Sequence, residues 1–375
     1  MIWNEIMNNN CKNLLLIIIS SVITKVIVAS FTIILTGGLN DTYDYSVYYQ
    51  ALHNILNLSW PWANNVVFYY PPLSFIPILI SYIPSLIYGF EGFVVAMQIQ
   101  MILCDIGISV CVYYIAKKIY NDHNALISGI LCATSIPAAY YVFFRFDALP
   151  TLLMVASIMF IIYGYEFKGY ILTALGLFTK LFPFITIPFL LIYNKSKNGF
   201  FIACLSVAAF VSMILIGYNG FMIFANEMYV NTIPYLFHAF TNINMNTCSM
   251  IFHILTGIVI LYALYTFWKN PKNIHIMLQM ILISLVAVIY LYQYRSPQYL
   301  VWIIPIASIL VASDGLGILS LILLEILSFV EYPFTYGMLY ENHSFIYPSA
   351  IWLFIIIFSV LIFVVYRCST RTHPG

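Results

Sequence analysis

Apolar runs of about 20 residues, separated by short polar segments, follow one another along most of the chain. A helix that crosses the roughly 30 Å hydrocarbon core of a bilayer needs about 20 such residues. Ten runs meet that description: 14 to 36, 93 to 116, 123 to 143, 149 to 165, 199 to 218, 248 to 267, 274 to 293, 297 to 313, 316 to 333 and 348 to 366. The pattern predicts an all-α polytopic membrane protein. It has about ten full transmembrane helices in one domain over residues 1–375, with re-entrant and juxtamembrane helices between them.

Two stretches depart from the simple pattern. Residues 72 to 88 are apolar but carry Pro72, Pro77 and Pro84, so an interfacial or re-entrant element is expected there rather than a regular span. Residues 169 to 193 could form one span, yet Lys168 and Lys195 at their ends both read as cytoplasmic. Two full crossings of about 12 residues each would reach only about 18 Å. A broken re-entrant pair turning near Lys180 and Pro183 satisfies both constraints. The run after Lys12 has the length of a span and no A-x-A-like cleavage site follows it, so it reads as a retained first helix.

Composition excludes a water-soluble fold. The chain is 63% hydrophobic and 7% charged, with a mean hydropathy of +0.96, whereas soluble domains carry about 25% charged residues. The net charge of +1 argues against a polyanion partner, and no nucleic acid is expected. The seven cysteines show no C-x-x-C spacing and mostly fall inside apolar runs, as packing residues do. No internal repeat or inverted symmetry of broken helices, often seen in transporters, is present.

The lysines and arginines set an expected sidedness. With both termini cytoplasmic, Lys12, Lys117, Lys118, Lys168, Lys195, Lys197, Lys269, Lys272, Arg367 and Arg371 fall inside. Residues 37–92 then form a long extracytoplasmic loop with juxtamembrane helices, and 219–247 a second one. Lys25 lies within the first helix. Arg145, Lys180 and Arg295 fall at outer helix ends, together with Asp41, Asp44, Glu91, Asp147, Glu227, Glu331 and Glu341. Asn40, Asn57 and Asn342 begin N-x-S/T sequons on that side, and Asn194 begins one inside.

These outer residues carry the candidate chemistry. Asp44, Val47, Tyr48, Ala51, Ile55 and Leu58 recur at helical spacing, which predicts an amphipathic helix holding Asp44 at the water–lipid boundary. There Asp44 could serve as a general base on a hydroxyl; taken by position alone it reads sooner as a solvated loop acid or a helix N-cap. Arg145, Lys180 and Arg295, on separate helices at one depth, could converge on a phosphate. Each singly could instead snorkel or pair with an acid. His53 and His238 could assist proton transfer or acceptor binding, although a lone histidine is more often structural. Tyr69, Tyr70, Tyr229 and Tyr235 could stack on sugars. Asp41 and Asp44 are spaced D-x-x-D rather than D-x-D, so no divalent metal and no other cofactor is expected.

The ordered strings Asp44 to Tyr49, Tyr69 to Leu73, Phe144 to Leu153, Leu175 to Leu191 and Ser296 to Pro305 resemble the GT-C superfamily. Within it they are most similar to polyprenyl-phosphate-dependent mannosyltransferases of the DUF2029 type, over roughly residues 35 to 310. The resemblance implies a membrane glycosyltransferase, a mannosyl- or other hexosyltransferase. It would use a polyprenyl- or dolichyl-phosphate sugar, invert the anomeric carbon, and act on a lipid-linked or glycan acceptor. The active site would face away from the cytoplasm, at the plasma membrane or a eukaryotic endomembrane. It also implies that Asp44, followed by Tyr48 in a D-x-x-x-Y match, is the catalytic base. Asp147, Lys180 and Arg295 correspond to positions that line the donor cavity. Where the family often has Gly-Gln before the hairpin aspartate, this chain has Arg145-Phe146. The competing reading is a lipid-linked oligosaccharide flippase or secondary transporter, which expects ionisable residues at bilayer depth; Lys25, Asp105 and Glu325 are the candidates. A structural subunit would leave the outer charges unexplained.

Overall fold

The computed structural model describes residues 2–39, 41–57, 68–215, 218, 231–335 and 348–370. Asn40, Glu227, Tyr229, Glu341, Asn342, Arg371 and residues 219–230 of the second expected loop lie outside them. Every regular element among the described residues is helical. The elements are α1 (Ile2–Thr36), α2 (Tyr43–Leu56), α3 (Phe75–Ala116), α4 (Asp122–Ala133), α5 (Ile136–Tyr141), α6 (Ala148–Ile162), α7 (Glu166–Thr179), α8 (Thr186–Asn194), α9 (Lys197–Leu215) and α10 (Ile233–Thr241). They continue with α11 (Met245–Lys269), α12 (Ile274–Leu291), α13 (Leu300–Val311), α14 (Gly315–Phe329) and α15 (Pro348–Thr370).

Among the described residues, seven helices are long and apolar enough to cross a membrane, and three shorter apolar helices accompany them. The chain is therefore an all-α polytopic membrane protein. The shortfall from ten full spans has a physical cause. The runs at 123 to 143, 149 to 165 and 297 to 313 become α4 with α5, α6 and α13, and these are core elements. All of α13 and most of α6 are buried. A helix surrounded by protein need not match the bilayer thickness, and irregular backbone is tolerated at its ends. The run at 123 to 143 breaks after Ala133, where the Ser135 side chain caps α5 by accepting from Ala138 N and Pro137 occupies its first turn.

Residues 75 to 88, where an interfacial or re-entrant element is expected, form a short helix despite their prolines. Pro77 sits in the first turn, where no intrahelical N–H is needed. At Gly89 the backbone turns with φ 62°, and the chain folds back on itself. Gln100 Nε2 donates to Pro77 O at 3.1 Å and to Ser81 Oγ at 2.7 Å across this hairpin. A side chain at Gly92 would meet Pro84 O at 2.7 Å, so the two arms pack closely.

The break expected near Lys180 and Pro183 is where the sequence places it. α7 ends at Thr179, Lys180 is extended, and a 3-10 turn over Phe182–Ile185 starts the return through α8. Tyr170 Oη donates to Leu190 O at 3.0 Å, tying the two arms together. A 14-residue helix such as α7 rises roughly 21 Å, short of a full crossing. The bend, with Lys180 buried in it, lies within the bundle. A Cβ on Gly199 would lie 2.2 Å from Tyr170 Cε2, on a ring already anchored by that hydrogen bond. Gly199→Val is therefore expected to lower stability by about 1–3 kcal/mol through overpacking, read as a drop in Tm of the purified protein in detergent.

Lys25 on α1 and Asp105 on α3 are both buried and form an ion pair, with Ser21 Oγ accepting a second bond from Lys25 at 2.6 Å. Glu325 Oε2 accepts from Ile136 N at 3.4 Å. At the basic end, Arg367 forks onto Asp314 at 2.6 and 2.7 Å, and Lys272 Nζ donates to Tyr193 O at 2.7 Å.

Candidate active site

The opposite end of the bundle gathers the charged residues of the first loop and of the α5–α6 turn. α2 buries Tyr45, Tyr48, Ala51 and Leu52, a face rotated from the expected stripe. Protein rather than a lipid surface receives it: Tyr45 Oη donates to Val142 O at 3.4 Å, and Tyr48 stands edge-on to Phe146 with centroids 5.7 Å apart. This packing holds Asp44, one turn before Tyr48, over the α5–α6 turn. Tyr48 Oη donates to Asp44 Oδ2 at 3.4 Å.

The turn from Val142 to Asp147 is buried throughout and presents Arg145 and Asp147 two residues apart. Arg145 Nη2 donates to Asp41 Oδ2 at 2.9 Å and to Tyr332 Oη at 3.0 Å. Its Nη1 donates to Phe144 O at 2.9 Å and to Asp41 O at 3.5 Å. Its Nε lies 3.3 Å from Asp44 Oδ2. Tyr332 Oη in turn donates to Asp41 Oδ2. The Asp44 carboxyl is held above its ordinary value of 3.8, first because burial penalises its charge. Arg145 and Lys180 pull it down, while Asp41 and Asp147 push it up.

Asp147 supplies the second half of the site. Its Oδ1 accepts from Lys180 Nζ at 2.7 Å and from Trp302 Nε1 at 2.7 Å, and its Oδ2 has no hydrogen-bond partner among the described residues. The Lys180 ammonium lies 5.2 to 5.5 Å from the ring centroids of Tyr70, Phe146, Tyr299 and Trp302, within cation–π reach. Trp302 is stacked between Phe182 and Tyr299 at 3.9 and 4.1 Å. Such stacking locks the indole, which fixes Asp147 and therefore Lys180.

A cavity of about 680 Å³ opens over these groups. Asp44, Arg145 and Lys180 are its charged wall; Ser296, Gln298 and a set of tyrosines, including Tyr43, Tyr69, Tyr70, Tyr294 and Tyr299, supply polar and stacking groups. Ile185, Phe210 and Val288, from the bend, α9 and α12, add apolar lining. Among the described residues no three histidine, cysteine or acidic side chains converge as a metal-ligand set.

The structure sorts the expected residues. Asp44, Tyr48, Arg145 and Lys180 line the cavity, and Asp41 and Asp147 stand directly behind two of them. Arg295 does not join them. It is fully buried, with Nη1 and Nη2 paired to Glu331 Oε1 and Oε2 at 2.6 and 2.8 Å and its guanidinium 4.8 Å from the Tyr290 ring. All three cations meet an acid, but only Arg145 and Lys180 also reach the cavity. His53 lies on α2 with Nδ1 2.8 Å from Tyr49 O, and His238 on α10 with Nδ1 2.6 Å from Ile243 O; neither lines the cavity.

Sequence reasoning did not assign roles to Trp302 and Tyr332. Trp302 had a signal, since Tyr299 and Trp302 share a face at the start of α13, just after Pro297. Tyr332 had none, because only the fold brings it to Asp41.

No family model and no curated protein matches the sequence. Among solved structures the chain is similar to an oligosaccharyltransferase of Archaeoglobus fulgidus in its apo form, at 12% identity and a TM-score of 0.45. It is also similar to the archaeal oligosaccharyltransferase AglB of the same organism in complex with an inhibitory peptide and a dolichol-phosphate, at 10% identity and the same TM-score. Each comparison covers 98% of this chain and 56% of that one, so this chain spans about half their length.

Proposed function

We propose that this chain is a membrane glycosyltransferase of the GT-C type. It moves mannose or another hexose from a polyprenyl- or dolichyl-phosphate donor to a lipid-linked or glycan hydroxyl, on the extracytoplasmic face. The observation that carries this reading is the juxtaposition in one cavity of a half-buried carboxylate, Asp44, with Arg145 and Lys180. A partly desolvated carboxylate is a better general base than a solvated one, and cations stabilise a departing phosphate. The apolar lining at Ile185, Phe210 and Val288 suits an isoprenoid chain, and the tyrosines suit a sugar.

In this reading Asp44 takes the proton of the acceptor hydroxyl as its oxygen bonds to the anomeric carbon. The bond from that carbon to the phosphate oxygen breaks, and its electron pair leaves with the polyprenyl phosphate. Attack opposite the leaving group inverts the configuration. No metal or cofactor is assigned a part.

The transporter alternative needs charge exposed along a central pathway. Lys25 and Asp105 are instead closed on each other inside the bundle. Membranes holding this chain are expected to convert a radiolabelled polyprenyl-phosphate hexose into a new glycolipid or glycan plus polyprenyl phosphate. Recovery of unchanged donor, in membranes whose lipid extract supplies acceptor, would rule the reading out.

A further inference from the structure

Arg145 and Lys180 both reach the cavity, but with unequal capacity to take a ligand. A guanidinium has five N–H donors. Four of those on Arg145 are spent on protein oxygens: Phe144 O and Asp41 O from Nη1, Asp41 Oδ2 and Tyr332 Oη from Nη2. The fifth, on Nε, faces Asp44 Oδ2 at 3.3 Å. A phosphate could engage Arg145 only by displacing one of these, and two of the displaced groups are carboxylates that would then face its own negative charge.

Charge counting points the same way. Asp41, Asp44 and Arg145, with Asp44 ionised for its work as a base, sum to minus one, which repels a phosphate. Lys180 and Asp147 sum to zero. Lys180 gives one of its three donors to Asp147 Oδ1. Beside it Tyr70, Tyr299 and Trp302 line the same cavity.

Resting on the transferase reading above, we propose that Arg145 is a positioning residue for Asp44, fixed in place by Asp41 and Tyr332, and that Lys180 receives the leaving phosphate. The two cations then divide the reaction between them. Arg145 aims the base and keeps it ionised, and Lys180 with its aromatic surround compensates the charge that appears on the leaving group. Tyr332, from the far end of the sequence, is the keystone of the first half: it accepts from Arg145 and donates to Asp41 with a single hydroxyl.

The test uses the purified full chain in nanodiscs with three variants, Arg145→Gln, Tyr332→Phe and Lys180→Gln. Dolichyl phosphate, the leaving group itself, is titrated by its effect on tryptophan fluorescence, and transfer is followed across pH. Lys180→Gln is expected to raise the Kd for dolichyl phosphate by about tenfold or more, the value of one charge-assisted bond. Arg145→Gln and Tyr332→Phe are expected to keep that Kd within about twofold and to lower kcat by about 100-fold and about tenfold respectively. Loss of the neighbouring cation favours protonated Asp44, so the acid limb of the kcat profile moves to higher pH in Arg145→Gln. Tyr332→Phe removes one oxygen and keeps the ring, which guards against misreading a folding defect.

A Kd that rises in Arg145→Gln as far as in Lys180→Gln, with the acid limb unmoved, would overturn the division of roles. Wild-type protein that binds dolichyl phosphate but transfers no sugar would remove the transferase reading while the Kd comparison still decides which cation holds the phosphate. Wild-type protein that binds no dolichyl phosphate would overturn both.

Discussion

Replacing Asp44 by asparagine is expected to reduce glycosyl transfer by about 10²- to 10⁴-fold, the range that a positioned general base contributes. The substitution is nearly isosteric and keeps one oxygen for Tyr48 Oη and Arg145 Nε, so folding and donor binding should survive. The pH dependence follows from the direction of the Asp44 shift. A base works when deprotonated; its carboxyl is held above 3.8, so activity is present at higher pH and is lost as pH falls through that raised value. Measured kcat should therefore fall on the acid side at a pH above that of an ordinary aspartate, with burial as the first cause. An Asp44→Asn variant that retained a tenth or more of wild-type kcat would assign the base elsewhere.

The second large effect concerns stability. Glu331→Gln keeps the shape of the side chain but removes the charge facing Arg295, a guanidinium with no solvent exposure. Removing one partner of a buried pair leaves an uncompensated charge and destabilises by about 3–5 kcal/mol. A fall of several degrees in Tm, or loss of monodisperse protein in size-exclusion chromatography, is the expected reading. The double variant Arg295→Met with Glu331→Leu should recover most of it, since apolar residues of similar volume replace such pairs at little loss. Protein that survives in either background should bind donor with near wild-type affinity. Normal stability in Glu331→Gln combined with a weakened donor KM would return Arg295 to the phosphate site.

Arg295 shows why a sidedness rule stops short of a binding site. The rule placed Arg145, Lys180 and Arg295 at the same depth, and depth was all that local hydropathy could supply. Arg295 meets Glu331 from 36 positions further along, on the segment that follows α14. Arg145 meets Asp41 across 104 positions, and Tyr332 reaches the same carboxylate across 291. Trp302 reaches Asp147 across 155. Each contact is decided within about 3 Å, a scale that residue order does not encode.

The helices and the bend near Lys180 were legible for the opposite reason. A segment enters a bilayer according to its own length and polarity, because every backbone group in hydrocarbon must be satisfied within the helix. That is an additive, local property. Pro183 marked the break in the same local way, and the backbone is extended at Lys180 just before it. Local pattern also predicted that α2 is a helix carrying Asp44, but the buried face was decided by Phe146 and Val142 across the fold.

The sequence by itself thus determined a membrane-spanning helical chain with acids and cations collected at one end. Tertiary structure decided which of those charges meet a cavity and which cancel each other behind its wall. The division is physical: insertion into lipid sums over neighbours in the chain, whereas the fate of a charge depends on the one or two groups that touch it.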